Sequence, residues 1–130
     1  MSETINVALL GLGRIGSQFA AGLVAHIAEG ASPISIVAVA EANPESEVAA
    51  KFKAEGVAVY TEALGIVEMG VEVGVIFDLT GMADMRQSLR DSLREVGNRH
   101  TVIVPEVMVR LLWSILSKGE DLTGPLREGY

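Results

Sequence analysis

The sequence predicts an α/β protein built on a doubly wound parallel sheet of five strands in the order 3-2-1-4-5. Apolar runs alternate along its 130 residues with segments whose apolar residues recur at helical spacing. These runs are rich in Val, Ile and Ala and lack polar alternation, which is typical of strands covered by helices on both faces. Right-handed crossovers between successive parallel strands then produce this strand order.

The first two predicted strands flank a glycine-rich turn and a helix. Ile5–Leu10 and Ile34–Ala40 are predominantly apolar runs, which indicate buried strands. The helix between them is indicated by apolar residues at every fourth position: Ile15, Phe19, Leu23 and Ile27. We expect this helix to end near Gly30 and Pro33, because neither residue favours a helix interior.

The middle of the chain predicts a second helix, a third strand and a brief third helix. Asn43 followed by Pro44 predicts an N-cap and a first helical residue, with the helix running to about Glu55. Thr61 is expected to cap the brief helix. The strand and the brief helix are predicted at Val57–Tyr60 and Ala63–Glu68.

The last third of the chain predicts two more strands, at Val73–Thr80 and Thr101–Val104. The helix between them has an apolar stripe and ends at Gly97; the stripe consists of Met85, Leu89, Leu93 and Val96. Beside the stripe, arginines at every fourth residue indicate either a solvated face or a docking surface for an acidic partner: Arg86, Arg90 and Arg94. A final helix is predicted at Glu106–Ser117.

Composition limits the classes of function. The net charge of −7 argues against binding to nucleic acid or to an anionic membrane, because both require a basic surface. The chain has no cysteine and only two well-separated histidines, so we expect no metal site. No apolar run approaches the ~20 residues of a membrane span, and no signal peptide is visible. We therefore expect a cytoplasmic protein with one domain at residues 1–118 and a tail at 119–130.

The stretch VALLGLGRIGSQFA, residues 7–20, contains the spacing Gly-x-Gly-x-x-Gly between a predicted strand and a predicted helix. This context is typical of dinucleotide-binding sites. Gly11 is expected to make the tight turn, Gly13 to let the backbone approach a pyrophosphate, and Gly16 to let the helix pack closely. The alternative is a glycine-rich turn that binds nothing.

Three residues between these glycines complete the candidate phosphate-binding loop: Leu12, Arg14 and Ile15. The start of the helix supplies unpaired N–H groups and a positive dipole end that favour phosphates. Arg14 is expected either to place its guanidinium over the pyrophosphate or to remain a solvated residue of the first turn.

An acidic residue closes the second strand in VAVAEANPE. Glu41 is expected, with the adjacent Ala42, to bind the adenosine ribose, because a carboxylate accepts hydrogen bonds from the ribose hydroxyls. The same carboxylate would repel a 2′-phosphate, and no Lys or Arg follows before Lys51, so the sequence favours NAD over NADP. The alternative is an exposed glutamate at a strand end.

The fourth strand ends in DLTGM, residues 78–82. Ligands of open α/β sheets bind beyond the carboxyl ends of the strands where the order reverses, here between strands one and four. Thr80 and Gly81 are therefore expected to line the nicotinamide half of the site, and Asp78 to face the crevice or cap the next helix. Asp84 and Glu106 also lie near the crevice, but no feature of the sequence distinguishes either as an acid or base.

These segments resemble the N-terminal, Rossmann-fold domain of the glucose–fructose oxidoreductase/inositol dehydrogenase family. The resemblance covers roughly residues 5–104 and rests on INVALLGLGRIGSQFA, VAVAEANPES, GVAVYTEALGIV and DLTG. Homoserine dehydrogenase and dihydrodipicolinate reductase have similar cofactor domains. The resemblance implies a nicotinamide cofactor, held in part by Gly11, Gly13, Gly16 and Glu41.

The chain departs from that family at the fifth strand, where the family has a Glu-Lys-Pro motif whose lysine assists proton transfer. The matching positions are Val104, Pro105 and Glu106, and no lysine occurs between Lys53 and Lys118. The family's second domain also has no counterpart in the remaining residues. A looser resemblance, on DLTG and VRLLWSIL, is to Rossmann modules of bacterial sensor proteins, which report nucleotide state.

Three functions follow from these observations. The first is a stand-alone NAD-binding module with a regulatory or redox-sensing role. The second is the cofactor-binding part of an NAD(P)-dependent oxidoreductase whose substrate domain lies on another chain or is missing. The third is a degenerate Rossmann protein that binds another nucleotide-like ligand or none. The apolar content of 49% and the apolar helix at Glu106–Ser117 also predict a homo-oligomer or docking to a partner protein.

Overall fold

A computed structural model describes residues 4–30 and 32–116 of the chain, and it confirms the predicted fold class. Five strands form one parallel sheet in the order β3-β2-β1-β4-β5. The strands are β1 Ile5–Leu10, β2 Ile34–Ala40, β3 Ala58–Tyr60, β4 Val75–Asp78 and β5 Val102–Val104. The predicted tail at 119–130 lies outside the described residues.

Helices cover both faces of the sheet. They are α1 Arg14–Ala28, α2 Glu47–Ala54, α3 Ala63–Val67, α4 Met85–Glu95 and α5 Glu106–Leu116, with a short 3₁₀ helix at Gly70–Glu72 before β4. One core cluster joins α1, α2 and α5 to the sheet, and a second joins α3 and α4 to the opposite face. This burial on both sides explains why the strands are apolar without alternation.

An aromatic cluster joins α1, β4 and α5 in the first core. The ring centroid of Phe19 lies 5.1 Å from that of Phe77 and 6.2 Å from that of Trp113. A Cβ on Gly22 of α1 would come within 2.5 Å of the Trp113 ring, so the missing side chain lets the two helices approach closely. The core face of α5 therefore carries Val109 and Trp113, both buried.

Two capping predictions are wrong. Helix α2 begins at Glu47, and its N-cap is Ser46, whose Oγ accepts a hydrogen bond of 3.1 Å from the Ala49 N–H. Asn43 instead forms a turn before the helix, in which its Oδ1 accepts from the N–H of Glu45. Helix α3 has no side-chain cap from Thr61, because its N-cap position is the following residue.

Strand β4 is shorter than predicted at both ends. The 3₁₀ helix at Gly70–Glu72 occupies the approach to the strand. At the other end the chain leaves the sheet after Asp78, because the side chain of that residue takes the N–H of Thr80 into a local turn.

Candidate dinucleotide site

The loop between β1 and α1 turns tightly at Gly11. This residue has a φ of +96°, which side chains rarely adopt, and its N–H donates to the carbonyl of Ala40 at 2.8 Å. A Cβ at Gly11 would lie 3.1 Å from Cγ2 of Thr80 and 3.2 Å from the carbonyl of Leu79. The glycine loop, the end of β2 and the turn after β4 therefore meet at the carboxyl edge of the sheet.

Gly16 and Gly13 have opposite surroundings. A side chain at Gly16 would overlap the carbonyl oxygen of Gly11, so only glycine lets α1 pass over the loop at this distance. At Gly13, apart from its two neighbours in the chain, no described residue has an atom within 4 Å of an added Cβ, and the backbone is extended with a φ of −72°. Packing therefore requires glycine at position 16, whereas at position 13 glycine leaves open space in front of the helix.

The first turn of α1 presents unpaired donors to this space. Its earliest helical hydrogen bond runs from the Ser17 N–H to the carbonyl of Gly13 at 2.7 Å. Within the described residues, the N–H groups of Gly13, Arg14 and Ile15 have no acceptor. The side chain of Ile15 is buried, as is that of Leu12, whereas Arg14 is exposed. A ligand can therefore reach Ile15 only through its backbone.

Glu41 links the glycine loop to the end of β2. Its Oε1 accepts a hydrogen bond of 2.6 Å from the Leu12 N–H, and its Oε2 accepts one of 2.8 Å from the Asn43 N–H. The first of these bonds closes the loop across 29 residues of sequence and was not predicted. Each carboxylate oxygen retains a further lone pair, so the group can still accept a hydrogen bond from a ligand hydroxyl. Ala42 lies exposed beside it.

The turn after β4 is held by Asp78, the buried carboxylate of this region. Its Oδ1 accepts hydrogen bonds from the Thr80 N–H at 3.1 Å and the Thr80 hydroxyl at 2.7 Å. The same hydroxyl accepts from the Met82 N–H at 3.1 Å. The Thr80 hydroxyl therefore stabilises the turn, because its proton is already donated to Asp78. Gly81 has a φ of +69° and an exposed backbone. Asp78 does not cap α4.

A crevice of about 130 Å³ opens beside this turn, at the carboxyl ends of β4 and β5. Asp78, Arg86 and Glu106 contribute its charged lining. Among the described residues, Oε2 of Glu106 is buried and has no hydrogen-bond partner. Burial raises the pKa of the Glu106 carboxyl. The positive charge of Arg110 lowers this pKa, the negative charge of Asp78 raises it further, and the positive charge of Arg86 lowers it. The sequence did not distinguish Glu106, because its burial depends on tertiary contacts.

The remaining chemistry-bearing residues lie away from this edge. His26 lies in the last turn of α1, and His100 lies just before β5. In residues 4–30 and 32–116 no three His, Cys, Asp or Glu side chains are grouped closely enough to hold a metal ion. Over the same ranges, no helix has both the length and the apolar character required to cross a membrane.

Comparison with solved structures finds the same fold in dehydrogenases. Homoserine dehydrogenase from S. aureus matches 91% of this chain with a TM-score of 0.56 and 16% sequence identity. Scyllo-inositol dehydrogenase from Lactobacillus casei, solved with bound NAD(H) and scyllo-inositol, matches 89% with a TM-score of 0.57 and 17% identity. The WlbA dehydrogenase from Chromobacterium violaceum, in complex with NADH and UDP-GlcNAcA, matches 91% with a TM-score of 0.59 and 14% identity.

This similarity confirms the fold predicted from the resemblance to the homoserine and inositol dehydrogenases. The chain spans about a third of the length of these structures: 31%, 34% and 33% respectively. No protein-family model matches the chain, and no curated protein matches it in sequence.

Proposed function

We propose that this chain binds NAD across the carboxyl edge of its sheet. The pyrophosphate would lie against the unpaired N–H groups of Gly13, Arg14 and Ile15, with the adenosine ribose at Glu41 and Ala42. The nicotinamide half would extend toward Thr80 and Gly81. The observation that carries this proposal is the open space at Gly13 in front of unpaired helix N–H groups, because packing gives no other reason for a glycine there.

The position of Glu41 supports NAD rather than NADP. Its carboxylate is fixed by two backbone N–H groups at the end of β2, so it would present negative charge where a 2′-phosphate would lie. Burying a phosphate against a carboxylate is unfavourable unless a cation intervenes.

We propose a regulatory or redox-sensing role for the bound dinucleotide. The nicotinamide ring would supply a change of charge between its oxidised and reduced forms, and the turn at Thr80 and Gly81 would respond to it. At the end of the fifth strand, Val104 and Pro105 stand where the enzymes of the resembled family have the Glu-Lys of their motif, so the lysine that assists proton transfer is missing there. The predicted cytoplasmic location is retained as part of this proposal.

The crevice favours a second candidate function, that of the cofactor-binding part of an NAD(P)-dependent oxidoreductase. Glu106 has a buried, unpartnered carboxylate oxygen beside the proposed nicotinamide position. Burial raises the pKa of this carboxyl, and a carboxyl with a raised pKa can serve as a general acid or base.

Calorimetric titration with NAD⁺, NADH, NADP⁺ and NADPH tests both candidates. We expect binding of the NAD forms, and at least about tenfold discrimination between NAD⁺ and NADH for a sensor. Hydride transfer to an added substrate would support the oxidoreductase instead. Absence of binding to all four dinucleotides would contradict both and leave the degenerate Rossmann protein.

We also propose that α5 contacts a second copy of the chain, with docking to a partner protein as the alternative. The solvent face of this helix carries four exposed apolar side chains: Val107, Met108, Leu111 and Ile115. Contiguous apolar surface of this kind usually marks a contact site.

A further inference from the structure

A groove of about 500 Å³ lies near the amino end of β5, whereas the proposed NAD site lies at the carboxyl ends of the strands. The second half of α4, the loop after it and Ile103 of β5 form its walls. The floor is apolar, because Leu93 is buried and Ile103 is partly buried against the same core. Three exposed arginines stand around it: Arg90, Arg94 and Arg99.

These three cations are concentrated in a chain whose net charge is −7. Across the described residues none of the three guanidinium groups has a hydrogen-bond or ion-pair partner. One nearby acid on the same helix, Asp91, already accepts from the Gln87 side chain at 2.9 Å. The groove therefore presents positive charge that the described part of the fold leaves unpaired, beside an apolar floor.

The groove adjoins the open edge of the sheet. Among residues 4–30 and 32–116, β5 is the last strand in the order and pairs only with β4, and the Val102 N–H donates to the carbonyl of Gly74 at 2.9 Å. Alternate residues of a parallel strand direct their backbone groups to opposite neighbours. The N–H and C=O of Ile103 therefore point away from β4, where an added strand could bind them.

We propose that this edge docks an acidic, extended segment of a partner protein as a sixth strand. Alternate side chains of an added strand lie on the same face of the sheet. A segment with acidic residues at every second position would thus direct its carboxylates toward Arg90, Arg94 and Arg99 while its backbone binds Ile103. This site is separate from the proposed NAD site. A polypeptide fits better than nucleic acid, because the edge strand offers backbone hydrogen bonds that only another strand can pair with as a ladder.

A labelled peptide of alternating glutamate and valine tests this proposal by fluorescence anisotropy. We expect saturable binding that weakens with salt, and no comparable binding of the matching lysine–valine peptide. Replacing the central residues of the probe by proline should abolish binding, because proline cannot donate to a strand ladder. Equal binding of the proline probe would overturn strand addition.

Charge reversal in the protein provides the second arm of the test. Arg90→Glu combined with Arg94→Glu should weaken peptide binding by about tenfold or more. Lys51→Glu combined with Lys53→Glu, two reversals at exposed positions on α2, is the matched control and should change it by less than about twofold. Absence of peptide binding at any soluble concentration, an unaffected double variant, or tighter binding of a single-stranded oligonucleotide would each overturn the proposal. Circular dichroism should show that both variants remain folded.

Discussion

Gly13 and Gly16 belong to one motif, but the fold requires glycine only at position 16. Gly16 lies where any side chain would overlap the carbonyl of Gly11, whereas the space around Gly13 is open. The motif alone does not separate a packing requirement from a binding requirement. Substitution by alanine separates them, because alanine at position 13 fits the fold and still fills the proposed path of the pyrophosphate.

Gly13→Ala should leave the melting temperature nearly unchanged and lower NAD affinity by about tenfold or more, because its Cβ meets only the ligand. Calorimetric titration beside thermal unfolding measures both quantities. Gly74→Ala is the matched control, since an added Cβ there touches only the Asn6 carbonyl at 3.4 Å. Unchanged NAD affinity in Gly13→Ala would contradict the proposed position of the pyrophosphate.

Glu41 combines a structural bond with the proposed ribose contact. Glu41→Ala should reduce NAD affinity and also lower stability by about 1–3 kcal/mol, because the Leu12 N–H loses its acceptor. Glu41→Gln retains one oxygen acceptor without the charge, so it should recover part of the stability and admit NADP more readily. Chemical denaturation and titration with both dinucleotides distinguish these effects. If the glutamine variant rejects NADP as strongly as the native chain does, the carboxylate does not determine selectivity.

Glu106 should make stability depend on pH. Its pKa in the folded chain is raised mainly by burial, so the folded state favours the neutral carboxyl. The free energy of unfolding therefore falls as pH rises from the ordinary pKa of a glutamate through the raised one. Glu106→Gln should therefore match the native melting temperature in acid and exceed it at alkaline pH. Glu45→Gln, at an exposed position, should show no such trend. A difference in melting temperature between Glu106→Gln and the native chain that stays constant across the pH range would contradict Glu106 as the cause of the pH dependence.

Among the secondary-structure elements, α2 shows how local signals compete. The sequence predicts an N-cap at Asn43 because Pro44 follows it. In the structure Asn43 stabilises the preceding turn and Ser46 caps the helix. Between β2 and α2 the Asn43 N–H donates to the Glu41 carboxylate, and the helix begins at Glu47 rather than at Pro44.

Ser46→Ala should therefore destabilise the chain by about 1 kcal/mol, the usual contribution of an N-cap hydrogen bond. Asn43→Ala removes only a turn contact and should have a smaller effect. Urea unfolding of the two variants compares them directly. A larger loss in Asn43→Ala would indicate that the helix begins at Pro44, as the sequence suggested.

At the scale of the whole molecule, the apolar residues of α5 form two groups, one in the core and one exposed on the surface. Val109 and Trp113 enter the core, Leu112 and Leu116 pack partly against it, and the opposite face remains exposed. Leu111, 52% exposed, lies within that exposed face, so its side chain is available to a second copy.

Leu111→Glu should convert a dimer to a monomer without loss of fold, because the residue contributes to the exposed face rather than to the core. Sedimentation equilibrium measures the mass of the native chain and of the variant. Leu64→Glu, at an exposed position on α3, is the control for added charge. A native chain that sediments as a monomer at all concentrations would leave docking to a partner protein as the use of this face.

The sequence by itself determined the order of the elements, the strand order and the position of the glycine loop. These follow from local apolar periodicity and from the handedness of crossovers, which each segment carries in its own residues. Strands β1 and β2 match their predicted bounds because both are predominantly apolar runs, β1 followed by the glycine loop and β2 preceded by Pro33.

Only the tertiary structure decided which groups of the candidate site are available. The Leu12 N–H is taken by Glu41, the Thr80 proton by Asp78, and Oε2 of Glu106 is buried without a partner. The same applies to the open edge at Ile103. Hydrogen-bond partners, burial and free edges depend on which distant segments the packed sheet brings together, so they have no signature in the pattern of any one segment.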